Sequence, residues 1–217
     1  MSTTSRGVFI TFEGLDGTGK TTQMRRLAER LRAAGRDVFE SAEPGGTPIG
    51  QQIRRILLDH RNHELCATAE MLLMFAARAQ NVDQWILPAL AAGKIVLSDR
   101  FTDSTLAYQG VARGLGADVV LDVDRIACRG LVPDLTVCLD IDPVAGLARA
   151  HSRNREQSGV ETRLDEQDLE FYRRVREGYR QIASDEPGRV KLVDGSGTVE
   201  EIEGAVWECV RGAVGLE

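Results

Sequence analysis

Apolar positions along this chain fall into short dense runs separated by longer stretches of helical spacing. Val8-Phe9-Ile10-Thr11-Phe12 has little polar interruption, the pattern of a central parallel strand covered on both faces. From Lys20 the period lengthens, with Met24, Leu27, Ala28 and Leu31 on one helical face and Gly35 as a stop signal. Asp37–Ser41 reads as a second strand, Glu43–Thr47 as a loop, and Ile49, Ile53, Ile56 and Leu57 as one face of a helix. Thr68–Ala92 predicts a long apolar-rich helix that Pro88 should kink or split. Lys94–Ser98, Leu135–Ile141 and Val190–Val193 complete a set of strands, with helices expected over about 102–109, 117–129, 143–151, 165–184 and 198–213. Such alternation predicts an α/β fold, a five-stranded parallel sheet with helices on both faces. His151–Arg163 fits neither period: it is polar, carries Gly159, and reads as either a surface loop or a moving flap.

Composition narrows the class. With 217 residues the chain is long enough for one compact domain with a sizeable core. Lys+Arg 27 against Asp+Glu 33 gives a net charge of −6, which argues against a broad polyanion-binding face and so against a nucleic-acid polymer as partner. Any phosphate it binds must be gripped locally. The polar start Met1–Arg6 and the lack of a long apolar run predict a cytoplasmic protein with no membrane span. Cys66, Cys128, Cys138 and Cys209 have no metal-like pairing and are expected to be small buried thiols in a reducing compartment.

One motif decides the chemistry. Gly14-Leu15-Asp16-Gly17-Thr18-Gly19-Lys20-Thr21 matches G-x-x-x-x-G-K-[ST], and it lies between a predicted strand and a predicted helix. Its glycines let successive backbone N–H groups turn inward around an anion, and the helix beginning near Lys20 adds its positive end. Lys20 can reach the outer phosphates of a nucleoside triphosphate, and the Thr21 hydroxyl can ligate Mg²⁺. No N-K-x-D base-reading motif of a guanine switch is present, and motor ATPases generally need longer chains. A small kinase needs a second phosphate site facing the first and a lid that excludes water. Ser98-Asp99-Arg100 ends the third strand, at the sheet edge that faces ligand, where Asp99 can hold Mg²⁺ and Arg100 can clamp a phosphate. Arg78 lies in an otherwise apolar helix with Phe75 one turn before it, so it needs an anionic or planar polar partner.

Several separated blocks, in order along nearly the whole chain, make it resemble the thymidylate kinase family: Phe12–Thr22, Glu43-Pro44-Gly45-Gly46-Thr47, Phe75-Ala76-Ala77-Arg78, Asp99-Arg100-Phe101, Ser104–Gly110 and Pro133–Thr136. The resemblance implies a P-loop NTPase fold in a single domain over residues 1–217, with a short lid at about 149–164. It implies phosphorylation of dTMP to dTDP, with ATP as donor and Mg²⁺ as cofactor, by a homodimer. Asp16 would accept a hydrogen bond from the sugar 3′-hydroxyl. Arg100 would hold the acceptor phosphate, with Arg54 as a lesser contributor. Arg78 would bond the thymine edge with help from Thr105, and an aromatic ring, Phe75 being the candidate, would stack on the base. Tyr108 would crowd the 2′ position, Gln109 would line the same pocket, and Pro44 would border the thymine. Position 17 is Gly, so the chain resembles members whose catalytic arginine comes from the lid: Arg153 is the first candidate, with Arg149, Arg155 and Arg163 nearby. It departs from the family pattern at Ala42, where many members have Arg, at Met74, where the stacking Phe often stands, and in its longer lid.

Overall fold

Successive side chains of a strand point to opposite faces, and here both faces are covered. The computed structural model describes residues 6–156, 163–164 and 167–216, and for residues 151 and 153–156 the backbone alone. Five strands form one parallel sheet: β1 (Phe9–Gly14), β2 (Val38–Ala42), β3 (Ile95–Asp99), β4 (Leu135–Asp140) and β5 (Val190–Asp194), in the order β2-β3-β1-β4-β5. β1 is central and buried throughout.

Ile10 and Phe12 of β1 face a cluster with Met24, Leu27 and Leu31 of α1 (Lys20–Ala33) and Ile202, Val206 and Val210 of α9 (Val199–Val210). Fully burying each large aliphatic side chain contributes about 1.5–3 kcal/mol, so this seam secures the phosphate-loop helix to the sheet. Phe9 faces the other way, against Met71 and Phe75 of α3 (Ala67–Asn81) and Val120 of α6 (Ala117–Ala127). Farther along that face Cys138 of β4 packs with Tyr172, Val175 and Tyr179 of α8 (Leu169–Asp185). Thr11 and Glu13 share the face of Phe9 and are fully buried. The core there turns polar toward the carboxyl ends of the strands.

Local chemistry sets the helix boundaries. Thr47 caps α2 (Pro48–Leu58) by accepting from Gly50 N at 2.9 Å, with Pro48 in the first turn. Asp168 accepts from Phe171 N at 2.7 Å, which starts α8 at Leu169 rather than at the expected 165. Thr198 and Glu201 form a capping box on α9.

The expected 68–92 helix is interrupted earlier than Pro88. α3 ends at Asn81, a wide π turn spans Val82–Ile86, and α4 (Leu87–Ala91) follows. The proline lacks an N–H and its ring crowds the carbonyl four residues back, so the loosening falls on the preceding turn. A second wide turn, Leu106–Ala112, follows α5 (Thr102–Thr105), and α6 stops at Ala127 rather than 129. The helix expected over 143–151 is longer, α7 (Pro143–Glu156), and takes in the first part of the polar segment. Two cysteines, Cys128 and Cys138, are buried as expected, whereas Cys66 is exposed and Cys209 half-buried; all four are free thiols. Among the described residues no helix is long and apolar enough to cross a membrane.

Candidate active site

The loop after β1 can exist only with glycine at its closest approaches. A Cβ at Gly14 would lie 2.3 Å from Leu139 O, and one at Gly17 would lie 2.2 Å from Gly146 O with φ already at +79°. A side chain at position 17 would therefore clash with the backbone of residue 146 unless that segment shifted. Thr18 Oγ1 and Lys20 Nζ both donate to Leu15 O, at 2.9 and 2.7 Å, which closes the loop into a ring ahead of α1. Burial, and then the neighbouring Arg100 cation, lower the proton affinity of Lys20; Asp16, Asp99 and Glu13 oppose them. Thr21 Oγ1 donates to Asp99 Oδ2 at 2.5 Å across from β3 to α1. The two oxygens expected to share Mg²⁺ are thus adjacent, and both are the hard donors that ion prefers.

Arg100 follows β3 in the left-handed region, φ 74°. Its Nη2 donates to Asp16 Oδ1 at 2.8 Å and, more weakly, to Tyr108 Oη at 3.4 Å. Its Nη1 donates to Ser104 Oγ at 3.0 Å, Tyr179 Oη at 3.2 Å and Gly14 O at 3.3 Å. The guanidinium carbon sits 5.1 Å from the centre of the Tyr108 ring. Asp16, Arg100 and Tyr108 therefore meet at the mouth of the glycine loop.

A second group lies on α3 and the loop after β2. Arg78 is buried, donating from Nε to Glu43 Oε2 at 2.6 Å and from Nη2 to Phe101 O at 2.9 Å. Asn81 Nδ2 donates to Glu43 Oε1 at 3.0 Å. Arg78 Nη1 is buried with no protein acceptor. Pro44 O accepts from Arg54 Nη1 at 3.0 Å, which brings α2 to the same loop. Thr105 is buried in α5, and Gln109 turns its amide to Glu70 Oε1 at 2.8 Å.

Two expectations need correction. Phe75, expected to stack on a base, is 2% exposed and belongs to the core with Met71 and Val82, because position 75 falls on the buried stripe of α3. Its ring lies 4.9 Å from the Arg78 guanidinium, so it supports that cation rather than offering an open face. Arg163, one of the arginines considered for the lid, is buried: its Nε donates to Leu57 O at 2.5 Å and its Nη2 pairs with Glu70 Oε2 at 2.7 Å. It fastens the segment before α8 to α2 and α3. Arg149 donates to Gly195 O at 3.2 Å, beside the loop after β5. The side chains of Arg153 and Arg155, and residues 157–162 of the expected lid, lie outside the described residues.

Glu13, Glu43, Ser104 and Tyr179 hold this site and were given no role from sequence. Glu13 had a usable signal, a lone carboxylate ending an otherwise apolar strand. Tyr179 had none, since it lies on an apolar stripe with Phe171, Tyr172 and Val175.

A glycine loop joining a buried parallel strand to a helix, with a Thr–Asp pair and a fixed arginine at the same sheet edge, defines a P-loop nucleotide-binding protein. The sequence matches the thymidylate kinase family model over residues 12–206. It is 47% identical over 205 residues to a thymidylate kinase of Solidesulfovibrio magneticus, covering 94% of this chain and 98% of that one. It is 50% identical over 201 residues to a thymidylate kinase of Pelobacter propionicus, covering 92% of each chain. With a thymidylate kinase of Geobacter sulfurreducens the identity is 49% over 201 residues, covering 92% and 94%. The chain belongs to the thymidylate kinase family.

Proposed function

We propose that this enzyme transfers the γ-phosphoryl group of ATP to the 5′-phosphate of dTMP, giving dTDP and ADP. The observation that carries this reading is Arg100, held at the mouth of the glycine loop by Asp16 on one side and by Ser104 and Tyr179 on the other. An acceptor phosphate on Arg100 faces a donor phosphate on Lys20. The attacking group is a phosphate oxygen whose second pKa is about 6, so it is largely dianionic at neutral pH and needs no general base. What opposes reaction is repulsion between two anions, and preorganised cations offset it.

Lys20 and the inward N–H groups of Gly14–Thr21 grip the donor. Mg²⁺ would be held by Thr21 and Asp99, and when bound it supplies charge neutralisation on the phosphate chain. Asp16 accepts from the sugar 3′-hydroxyl, and Tyr108 walls the 2′ position. The unpaired Arg78 Nη1 supports a role in donating to a thymine carbonyl, since a buried donor without a partner is costly. Thr105, Gln109 and Pro44 border that pocket, and Arg54 adds a cation beside Pro44. The lid of about 149–164 would supply Arg153 and exclude water. Exposed Ile49, Ile56, Leu72, Val119 and Ile126 on α2, α3 and α6 support a homodimer. Four free thiols support a cytoplasmic setting.

The test is Arg100→Ala. Losing a clamp made in the transition state should lower kcat/KM for dTMP by about 10²–10³-fold, with KM for ATP nearly unchanged. Equal kcat/KM in variant and wild type would overturn the reading.

A further inference from the structure

Glu13 takes no part in the chemistry above, yet it is fully buried directly behind the acceptor clamp. Its Oε1 accepts from Phe101 N at 2.7 Å. Its Oε2 accepts from Ser104 Oγ at 2.5 Å and from Tyr179 Oη at 3.1 Å. These are the two hydroxyls to which Arg100 Nη1 donates. A guanidinium has donors only, so each hydroxyl must present a lone pair to it and send its proton elsewhere. The Glu13 side chain accepts from both hydroxyls, which also lie 2.8 Å from each other, so it anchors the hydrogen-bonded group that links β1 to Arg100.

The same carboxylate acts on the backbone. Arg100 has φ 74°, a conformation that residues with a β-carbon rarely adopt. Arg100 N donating to Phe12 O at 2.9 Å, Ser98 Oγ donating to Arg100 O at 2.8 Å, and Phe101 N donating to Glu13 hold that turn from three sides. We infer that Glu13 is a positioning residue, which aims the Arg100 guanidinium at the acceptor 5′-phosphate through Ser104, Tyr179 and the Phe101 amide. The inference rests on the reading of Arg100 as the phosphate clamp.

Calorimetric titration of dTMP, thymidine and ATP into wild type, Glu13→Gln, Arg100→Ala and a Ser104→Ala/Tyr179→Phe double variant separates the two claims. Thymidine lacks the phosphate, so it feels Arg100 only indirectly, through Asp16 and Tyr108. Arg100→Ala should weaken dTMP by about 10–100-fold, the range for a charge-assisted bond, and thymidine by a smaller factor, so that the preference for dTMP over thymidine falls. If Arg100→Ala keeps the wild-type preference for dTMP over thymidine, the clamp reading itself fails. Glu13→Gln replaces an acceptor by a donor of nearly the same shape. It should weaken dTMP by about tenfold or more, as misplacement of a reacting group does, while thymidine and ATP stay within about threefold. The double variant should reproduce that pattern, and it carries the test with the same thresholds if Glu13→Gln does not fold. With Arg100→Ala behaving as expected, equal losses for dTMP and thymidine, or no loss for dTMP, overturn the positioning role.

Discussion

Lys20 is buried beneath its own loop and donates to Leu15 O, a contact that a phosphate oxygen can replace with a stronger, charge-assisted one. Lys20→Met should therefore act on turnover, lowering kcat by about 10²–10³-fold in a coupled assay of ADP formation; a kcat within about threefold of wild type would contradict its role. Glu13 gives a pH prediction. Burial, and then the charge of Asp103, push its carboxyl from 4.5 up to about 7. An unfolded chain then releases this proton at lower pH than the folded one, so the Glu13 contribution to stability declines as pH rises from 4.5 to about 7 and is constant above that. In urea unfolding, wild-type stability minus that of Glu13→Gln should fall between about pH 5 and pH 7.5. A pH-independent difference would contradict the shift. At this scale the sequence is legible where spacing and residue type together state a chemistry, as in Gly14–Thr21 or Asp99-Arg100. It is silent where a residue acts by holding another, because Tyr179 and Ser104 gain their meaning only when α8 and α5 close over β1.

Loops and helices here are joined by buried ion pairs rather than by apolar contact alone. Glu43, after β2, and Arg78, on α3, are each 3% exposed in their side chains and bonded at 2.6 Å. Removing one member leaves an uncompensated charge in the core, so Glu43→Ala should cost about 3–5 kcal/mol in chemical denaturation; a loss below about 1 kcal/mol would contradict the pairing. The period and breaker residues make the five strands and most of the helices readable before folding. They misplace boundaries where a side chain decides the end, as Asp168 does for α8. They also miss the π turns at Val82–Ile86 and Leu106–Ala112, because a single extra residue in a turn hardly changes an apolar stripe. Phe75 shows the same limit: helical spacing placed it beside Arg78, but only packing against Phe9 and Val96 shows which way the stripe faces.

At the scale of the molecule, the carboxyl ends of β1 and β3 bring the glycine loop and Arg100 to one edge, while α2, α3 and α6 expose the apolar side chains of Ile49, Ile56, Leu72, Val119, Leu121 and Ile126. Ile126 is 83% exposed and Leu72 50%. If these faces meet in a homodimer, light scattering should find a dimer in wild type and a monomer for the Leu72→Glu/Ile126→Glu pair; an unchanged mass in the variant would contradict this face. If two nucleotides meet at these fixed cations, transfer from γ-labelled ATP to a panel of nucleoside monophosphates shows it most directly. Labelled dTDP should form at least about tenfold faster than any other diphosphate, as expected when a buried polar site reads the base, and release of free phosphate without acceptor should be slow. Rapid acceptor-independent hydrolysis of ATP, or no labelled dTDP, would contradict the account.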